Sequence, residues 1–302
     1  MNLETTLCGI TLKNPIIAAS GTFGFGREFD EFYDISRLGG VSLKGLTLLP
    51  REGNPAPRMS ETAAGMLNAV GLQNPGIDAF LREDLPWLET KNTVIIANIA
   101  GNTAEEYVQM AQQLRHTAVD MVEMNISCPN VKHGGVQFGV YPEAILDITK
   151  AVKAVCQQPL MVKLSPNTAN IGENAKAAQE GGADAISLIN TLTGMAVDAV
   201  RRRPRIANVT GGLSGPAIKP VALRMVHEAS KAVEIPIVGM GGIMTGEDIV
   251  EFLLCGASAV MVGTANLADP MASIRLIEEL EAFMQRQGVS SVTEWIGALQ
   301  LS

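Results

Sequence analysis

The 302-residue sequence has few aromatic residues, 4% in all, and only 3 histidines and 4 cysteines. The cysteines, Cys8, Cys128, Cys156 and Cys255, lie far apart and form no Cys-x-x-Cys pair. That spacing gives neither a disulfide framework nor a zinc or iron-sulfur ligand set, so no metal site is expected in this chain. Positive charge is scarce as well: 23 Lys and Arg stand against 31 Asp and Glu, a formal net charge of -8. Polyanions bind through clustered basic side chains, which argues against nucleic acid or an anionic membrane as partner. No apolar run approaches the length of a membrane span, and Met1-Asn2-Leu3-Glu4-Thr5-Thr6 lacks a basic segment leading into an apolar one. The expectation is a cytoplasmic protein that handles small molecules or protein partners.

Aliphatic residues and glycine are abundant, with 47% hydrophobic residues, 30 Gly and 14 Met. This suits an aliphatic core joined by many tight turns. Two ordinary domains would fit this length, but an α/β barrel commonly fills it as one, and a single domain over residues 1–302 is expected. Eight short apolar runs rich in Val and Ile, each followed by a segment of helical period, occupy residues 15–20, 40–47, 93–101, 120–127, 160–166, 185–190, 235–242 and 259–265. None alternates strictly between apolar and polar residues, as expected of parallel strands covered on both faces. Eight such units predict an α/β fold of the (β/α)8 TIM-barrel type. Helix starts are marked at Thr103 to Glu106, which has capping-box form, and at Thr245, where Asp248 takes the place of the usual Glu or Gln. The first of these leads into Tyr107, Val108, Met110, Ala111 and Leu114 on one face. Residues 3–12, turning at Cys8-Gly9, predict an N-terminal hairpin that closes the barrel bottom. Residues 48–75 and 191–216 are too long for plain connections and predict two insertions on the top face.

Side chains at the C-terminal ends of barrel strands face the mouth where such folds do chemistry. In order, the eight runs present there Ser20 and Gly21; Lys44 and Gly45; Asn98; Asn125, with Cys128 just beyond; Lys163; Asn190 and Thr191; Gly241 and Gly242; Gly263 and Thr264. The glycines of the last two strands can offer backbone N–H groups to a phosphate. Lys44 and Lys163 would project toward the barrel centre, where an ammonium needs an anion or an electron-rich ring beside it. Pairing to a buried carboxylate finds little support in the sequence, since Glu123 is the only acid near a strand end. Asn98, Asn125 and Asn190 each close an apolar run, and their amides can donate and accept toward a flavin or pyrimidine edge.

Cys128 precedes Pro129 and a polar, glycine-rich stretch, residues 130–140, with the character of a lid, so its thiol is read as reactive. Cys8, Cys156 and Cys255 are read as small buried hydrophobes. His133, alone in the glycine-rich stretch, and the run Arg201-Arg202-Arg203-Pro204-Arg205 are read as solvated.

Asn125-Ile126-Ser127-Cys128-Pro129-Asn130, with Ser42-Leu43-Lys44-Gly45, Asn68-Ala69-Val70-Gly71-Leu72-Gln73-Asn74-Pro75-Gly76, Gly211-Gly212-Leu213-Ser214-Gly215-Pro216-Ala217 and Gly239-Met240-Gly241-Gly242-Ile243, resembles the dihydroorotate dehydrogenases of pyrimidine biosynthesis. The likeness extends over nearly the whole chain. Within that family a cysteine base resembles the soluble class, as against the membrane-associated, quinone-reducing class with a serine base and an N-terminal extension. The wording of residues 68–76 is similar to the subclass whose FMN-containing catalytic subunit pairs with an FAD and iron-sulfur subunit and passes electrons to NAD.

The resemblance implies FMN contacts at Ser20 or Gly21, Lys44, Gly45, Asn98, Asn125, Lys163, Ile189, Gly215, Gly241, Gly242, Gly263 and Thr264. It implies substrate contacts at Lys44, Asn68, Ala69, Val70, Gly71, Leu72, Asn125, Asn190 and Thr191. Cys128 would remove a proton from the ring carbon beside the carbonyl while the carboxylate-bearing carbon gives a hydride to FMN, converting dihydroorotate to orotate. Lys44 would bind the carboxylate and Lys163 would stabilise reduced FMN. FAD and a two-iron two-sulfur cluster are expected only on the partner, in a heterotetramer of two of each chain around a homodimer of this one. Three alternatives stay open: a fumarate-dependent homodimeric relative, a pyrimidine-reducing relative, and a phosphate-binding barrel without flavin.

Overall fold

The computed structural model describes residues 1–127, 139 and 141–301. Cys128, His133 and the expected lid, apart from Gly139, lie outside the described residues.

Each of the eight apolar runs holds one strand of a closed parallel barrel. Strands one to eight are Ile16–Ala18, Gly40–Ser42, Ile95–Ile99, Met121–Asn125, Leu160–Lys163, Ala185–Leu188, Ile237–Met240 and Ala257–Val262. They pair in sequential order, and strand eight closes on strand one through the register Val260 with Ile16 and Val262 with Ala18. The strands are shorter than the runs because the chain leaves the ladder before its apolar character ends: Lys44 and Gly45 lie beyond strand two, and Asn190 beyond strand six. Strand eight instead starts two residues earlier than expected, directly after Gly256.

Helices Ala104–Leu114, Pro142–Lys153, Ile171–Glu180, Lys219–Ala232, Gly246–Leu254 and Ala272–Gln287 cover the barrel. Their apolar stripes supply the outer core, as the buried face Tyr107, Met110, Ala111 and Leu114 illustrates. Val108 is only partly buried, at the edge of that face. The capping box expected at Thr103 is half formed. Thr103 accepts from Glu106 N–H, but the Glu106 carboxylate accepts from Asn102 N–H rather than from Thr103. At Thr245 both halves are present. The crossover from strand one to strand two departs from the expected helix: it has only the single turn Arg27–Asp30 and the 3-10 turn Ile35–Arg37. Gly21, Gly24 and Gly26 interrupt helical propagation there, and buried Phe23, Ile35 and Leu38 supply the cover instead.

A second, inner core fills the barrel with Ile17, Ile96, Met121, Met161, Ala185, Val238, Ala259 and Met261. Its lower end is closed by the predicted hairpin, Thr5–Leu7 paired with Ile10–Leu12, whose Leu7 and Leu12 join this cluster. Thr5 Oγ1 fastens the hairpin to the barrel by donating to the Ser258 carbonyl at 2.9 Å.

The two insertions meet. Leu192–Met195 and Thr210–Ser214 from one, and Gly65–Asn68 and Met59–Thr62 from the other, form a single antiparallel sheet in which Leu213 faces Leu67. The arginine run caps a small ribbon, Val197–Asp198 with Arg203–Pro204, and Arg201, Arg202, Arg203 and Arg205 are exposed. Of the described cysteines only Cys156 is buried; Cys8, at the hairpin turn, and Cys255, at the end of helix Gly246–Leu254, are half-buried. Among the described residues, no helix is long and apolar enough to cross a membrane.

Candidate active site

Above the inner core, a cavity of about 750 Å³ opens at the C-terminal ends of the strands. Every described residue expected at the site borders it. Ser20, Gly21, Lys44, Gly45, Asn98, Asn125, Lys163 and Ile189 form the floor and one side; Gly215, Gly241, Gly242, Gly263 and Thr264 form another. Asn68, Ala69, Val70, Gly71, Leu72, Asn190 and Thr191 belong to the wall contributed by the insertions and strand six. The chain reaches Cys128 directly after Ser127, itself a residue of the cavity wall.

The period of two along parallel strands turns alternate side chains inward, so on strand four Met121 joins the inner core and Asn125 borders the cavity, with Glu123 between them. Beneath the floor stands Glu123, fully buried on strand four. Its Oε2 accepts from Ser42 Oγ at 2.7 Å and Asn98 Nδ2 at 2.6 Å, and its Oε1 accepts from Ser187 Oγ at 2.7 Å. Lys163 Nζ lies 4.0 Å from the same Oε1, and the lysine side chain is almost wholly buried. This corrects the expectation that neither strand-end lysine is paired to a buried carboxylate: the acid noted near Asn125 in the sequence is that partner. An ammonium among apolar strands needs a counter-charge, and Glu123 supplies it.

The asparagine amides divide their bonds. Asn98 gives its donor to Glu123, while its Oδ1 is buried and has no partner among the described residues. Asn125 Oδ1 accepts from Ser127 N–H at 3.1 Å and from Asn190 Nδ2 at 3.2 Å. Asn190 Oδ1 accepts from Thr191 N–H at 2.8 Å, so Asn190 orders its neighbours with both ends of its amide. Missed in the sequence were Asn167, which bonds the Thr191 carbonyl and the Thr193 N–H, and Ser214, which accepts from Thr264 Oγ1 at 2.8 Å. A polar residue in a long insertion gives no linear sign of such a tie.

The glycine turn after strand seven is held from behind. Gly242 has φ 83°, and a Cβ there would lie 2.8 Å from Lys219 Cβ and 2.9 Å from the Gly215 carbonyl. Asp248 Oδ2 accepts from the N–H groups of Met244 and Thr245, both at 2.8 Å, and Lys219 bonds Asp248 and Glu251. Burial opposes ionisation of Asp248, but the Lys219 hydrogen bond and the two N–H donors outweigh it and hold the carboxyl below its ordinary value. Burial likewise opposes the Lys219 charge, and the two carboxylates overcome it and raise its pKa.

Burial pushes the thiols of Cys8 and Cys156 up to about 11, and that of Cys255 upward too. None of the three is a thiolate near neutral pH, and none borders the cavity.

Residues 2–284 match the family model described as dihydroorotate dehydrogenase. A protein of Alkaliphilus metalliredigens named dihydroorotate dehydrogenase B (NAD(+)), catalytic subunit, is 55% identical over 299 residues, 99% of each chain. Proteins of the same name from Thermoanaerobacter pseudethanolicus and Geobacter metallireducens are 53% and 54% identical over 301 residues; the first alignment covers 100% of both chains and the second 99%. The chain belongs to the dihydroorotate dehydrogenase family.

Proposed function

We propose that this chain is the catalytic subunit of an NAD-linked dihydroorotate dehydrogenase and oxidises dihydroorotate to orotate for pyrimidine synthesis. The observation that carries the reading is the convergence on one cavity of two lysines, the three strand-end asparagines Asn98, Asn125 and Asn190, and the glycine turns of strands seven and eight. The donor set suits FMN. Asn98 Oδ1 is a buried acceptor with no protein partner among the described residues, beside Gly45, where a Cβ would come within 3.0 Å of it. A flavin ring edge has N–H groups for such an acceptor, and the Gly241–Gly242 and Gly263–Thr264 turns suit its phosphate.

When bound, FMN supplies the hydride acceptor. Cys128 takes the proton from the ring carbon beside the carbonyl. Lys44 holds the substrate carboxylate, supported by the backbone of Asn68, Ala69, Val70, Gly71 and Leu72. Asn125, its Oδ1 engaged by Ser127 and Asn190, keeps its Nδ2 as a donor to ring oxygens, and Thr191 closes the substrate edge. Lys163 stabilises the charge left by hydride transfer.

We further propose that electrons leave through an FAD and iron-sulfur partner, in a cytoplasmic heterotetramer built on a dimer of this chain. The relatives' designation as catalytic subunits of NAD(+) enzymes supports this. The test is reconstitution of the purified chain with FMN. A yellow protein that oxidises dihydroorotate with a dye acceptor is expected, with NAD serving only after a partner subunit is added. A chain that takes up no FMN, or that turns over with fumarate or uracil instead, refutes the reading.

A further inference from the structure

Glu123 lies outside the contacts expected for cofactor or substrate, yet it touches every strand from two to six except its own through side chains: Ser42, Asn98, Lys163 and Ser187. Its two oxygens are used differently. Oε2 takes two short hydrogen bonds, whereas Oε1 takes one and turns toward Lys163 at 4.0 Å. That separation balances the ammonium electrically without engaging its donors. No hydrogen bond among the described residues takes up Lys163 Nζ, and the side chain borders the cavity.

Resting on the proposed flavin reading, we propose that Glu123 is a positioning residue that sets the reduction potential of the bound ring through Lys163. Hydride transfer brings two electrons and one proton to a neutral ring and so leaves it one negative charge. With Glu123 ionised, Lys163 is already compensated before reduction, and only part of its field is free to favour the added charge. Without the carboxylate, the ammonium faces a neutral ring uncompensated, and reduction supplies the missing counter-charge. Glu123 therefore holds the potential down, which keeps the reduced ring ready to pass its electrons on. Through Asn98, the same carboxylate also fixes a buried acceptor that has no partner among the described residues.

The experiment measures midpoint potentials of FMN-loaded protein by dye equilibration without substrate, for the wild type, Glu123→Gln, Lys163→Met and the double variant. Glu123→Gln is expected to favour reduced over oxidised ring about tenfold or more, ~30 mV upward for a two-electron couple. In the Lys163→Met background the same change should have little effect. An unmoved or lowered potential in Glu123→Gln, or an equal rise without Lys163, overturns the proposal. Should Glu123→Gln fail to fold, Glu123→Asp keeps the charge but draws it away from Lys163; a smaller rise is expected, and no rise overturns the proposal equally. Wild-type protein that binds no flavin would refute the functional reading instead.

Discussion

Asn98 and Glu123 are fully buried polar side chains at the boundary between an aliphatic interior and an open cavity. Residues of this kind were unevenly legible. Lys163 and the three asparagines stand out in the sequence because each is a polar residue closing an apolar run. The convergence of Ser42, Asn98, Lys163 and Ser187 on Glu123 is invisible there, since it depends on neighbouring strands meeting at one level, Asn98 beside Glu123 and Ser187 beside Lys163. At Cys128 the sequence alone carries the expectation. A thiol of ordinary pKa, ~8.5, is a few per cent thiolate at neutral pH, so wild-type activity should rise as pH climbs toward that value. Cys128→Ser should retain FMN and lose roughly a hundredfold or more in kcat at pH 7, the span typical of a general base. Steady-state rates from pH 6 to 9 check this, and equal rates for the two proteins would remove Cys128 from the role.

At the scale of elements, the two insertions were recognisable by length and glycine content, but their pairing was not. Strands Gly65–Asn68 and Thr210–Ser214 pair residues 144 to 148 positions apart, and only the closed barrel brings their loops side by side. The helix Gly246–Leu254 was better marked, because its cap is local: Thr245 and Asp248 satisfy one another's backbone N–H groups. The same Asp248 tethers the glycine turn, which ties helix stability to the shape of that turn. Its carboxyl is held below the unfolded value of ~3.9, so its contribution is complete above that pH and is lost as pH falls through the lower folded value. Asp248→Asn is therefore expected to lose about 1–2 kcal/mol at pH 7, with the gap to wild type closing below pH ~4. Denaturant melts at pH 7 and pH 3 measure it; a gap undiminished between the two would show that the charge is not its source.

For the whole molecule, the count of eight apolar runs was enough to fix the architecture, because a parallel barrel needs each strand apolar on both faces. The helical cover after strand one was overread, since buried Phe23, Ile35 and Leu38 do the covering without a helix. The hairpin was legible from its turn and its apolar ends. Leu7, 1% exposed, seats it in the inner core, and Leu7→Ala should cost about 2–5 kcal/mol, read as a lower Tm. The turnover of each folded molecule should not change, as active-site titration against bound flavin would reveal.

That plug has an evolutionary consequence. Because Leu7 and Leu12 secure the fold at one end while Lys44, Lys163 and the insertion sheet border the cavity at the other, durability and the proposed specificity draw on separate sets of residues. A descendant chain can exchange its rim for new substrates while leaving its foundation untouched, and can toughen its foundation without retuning its chemistry.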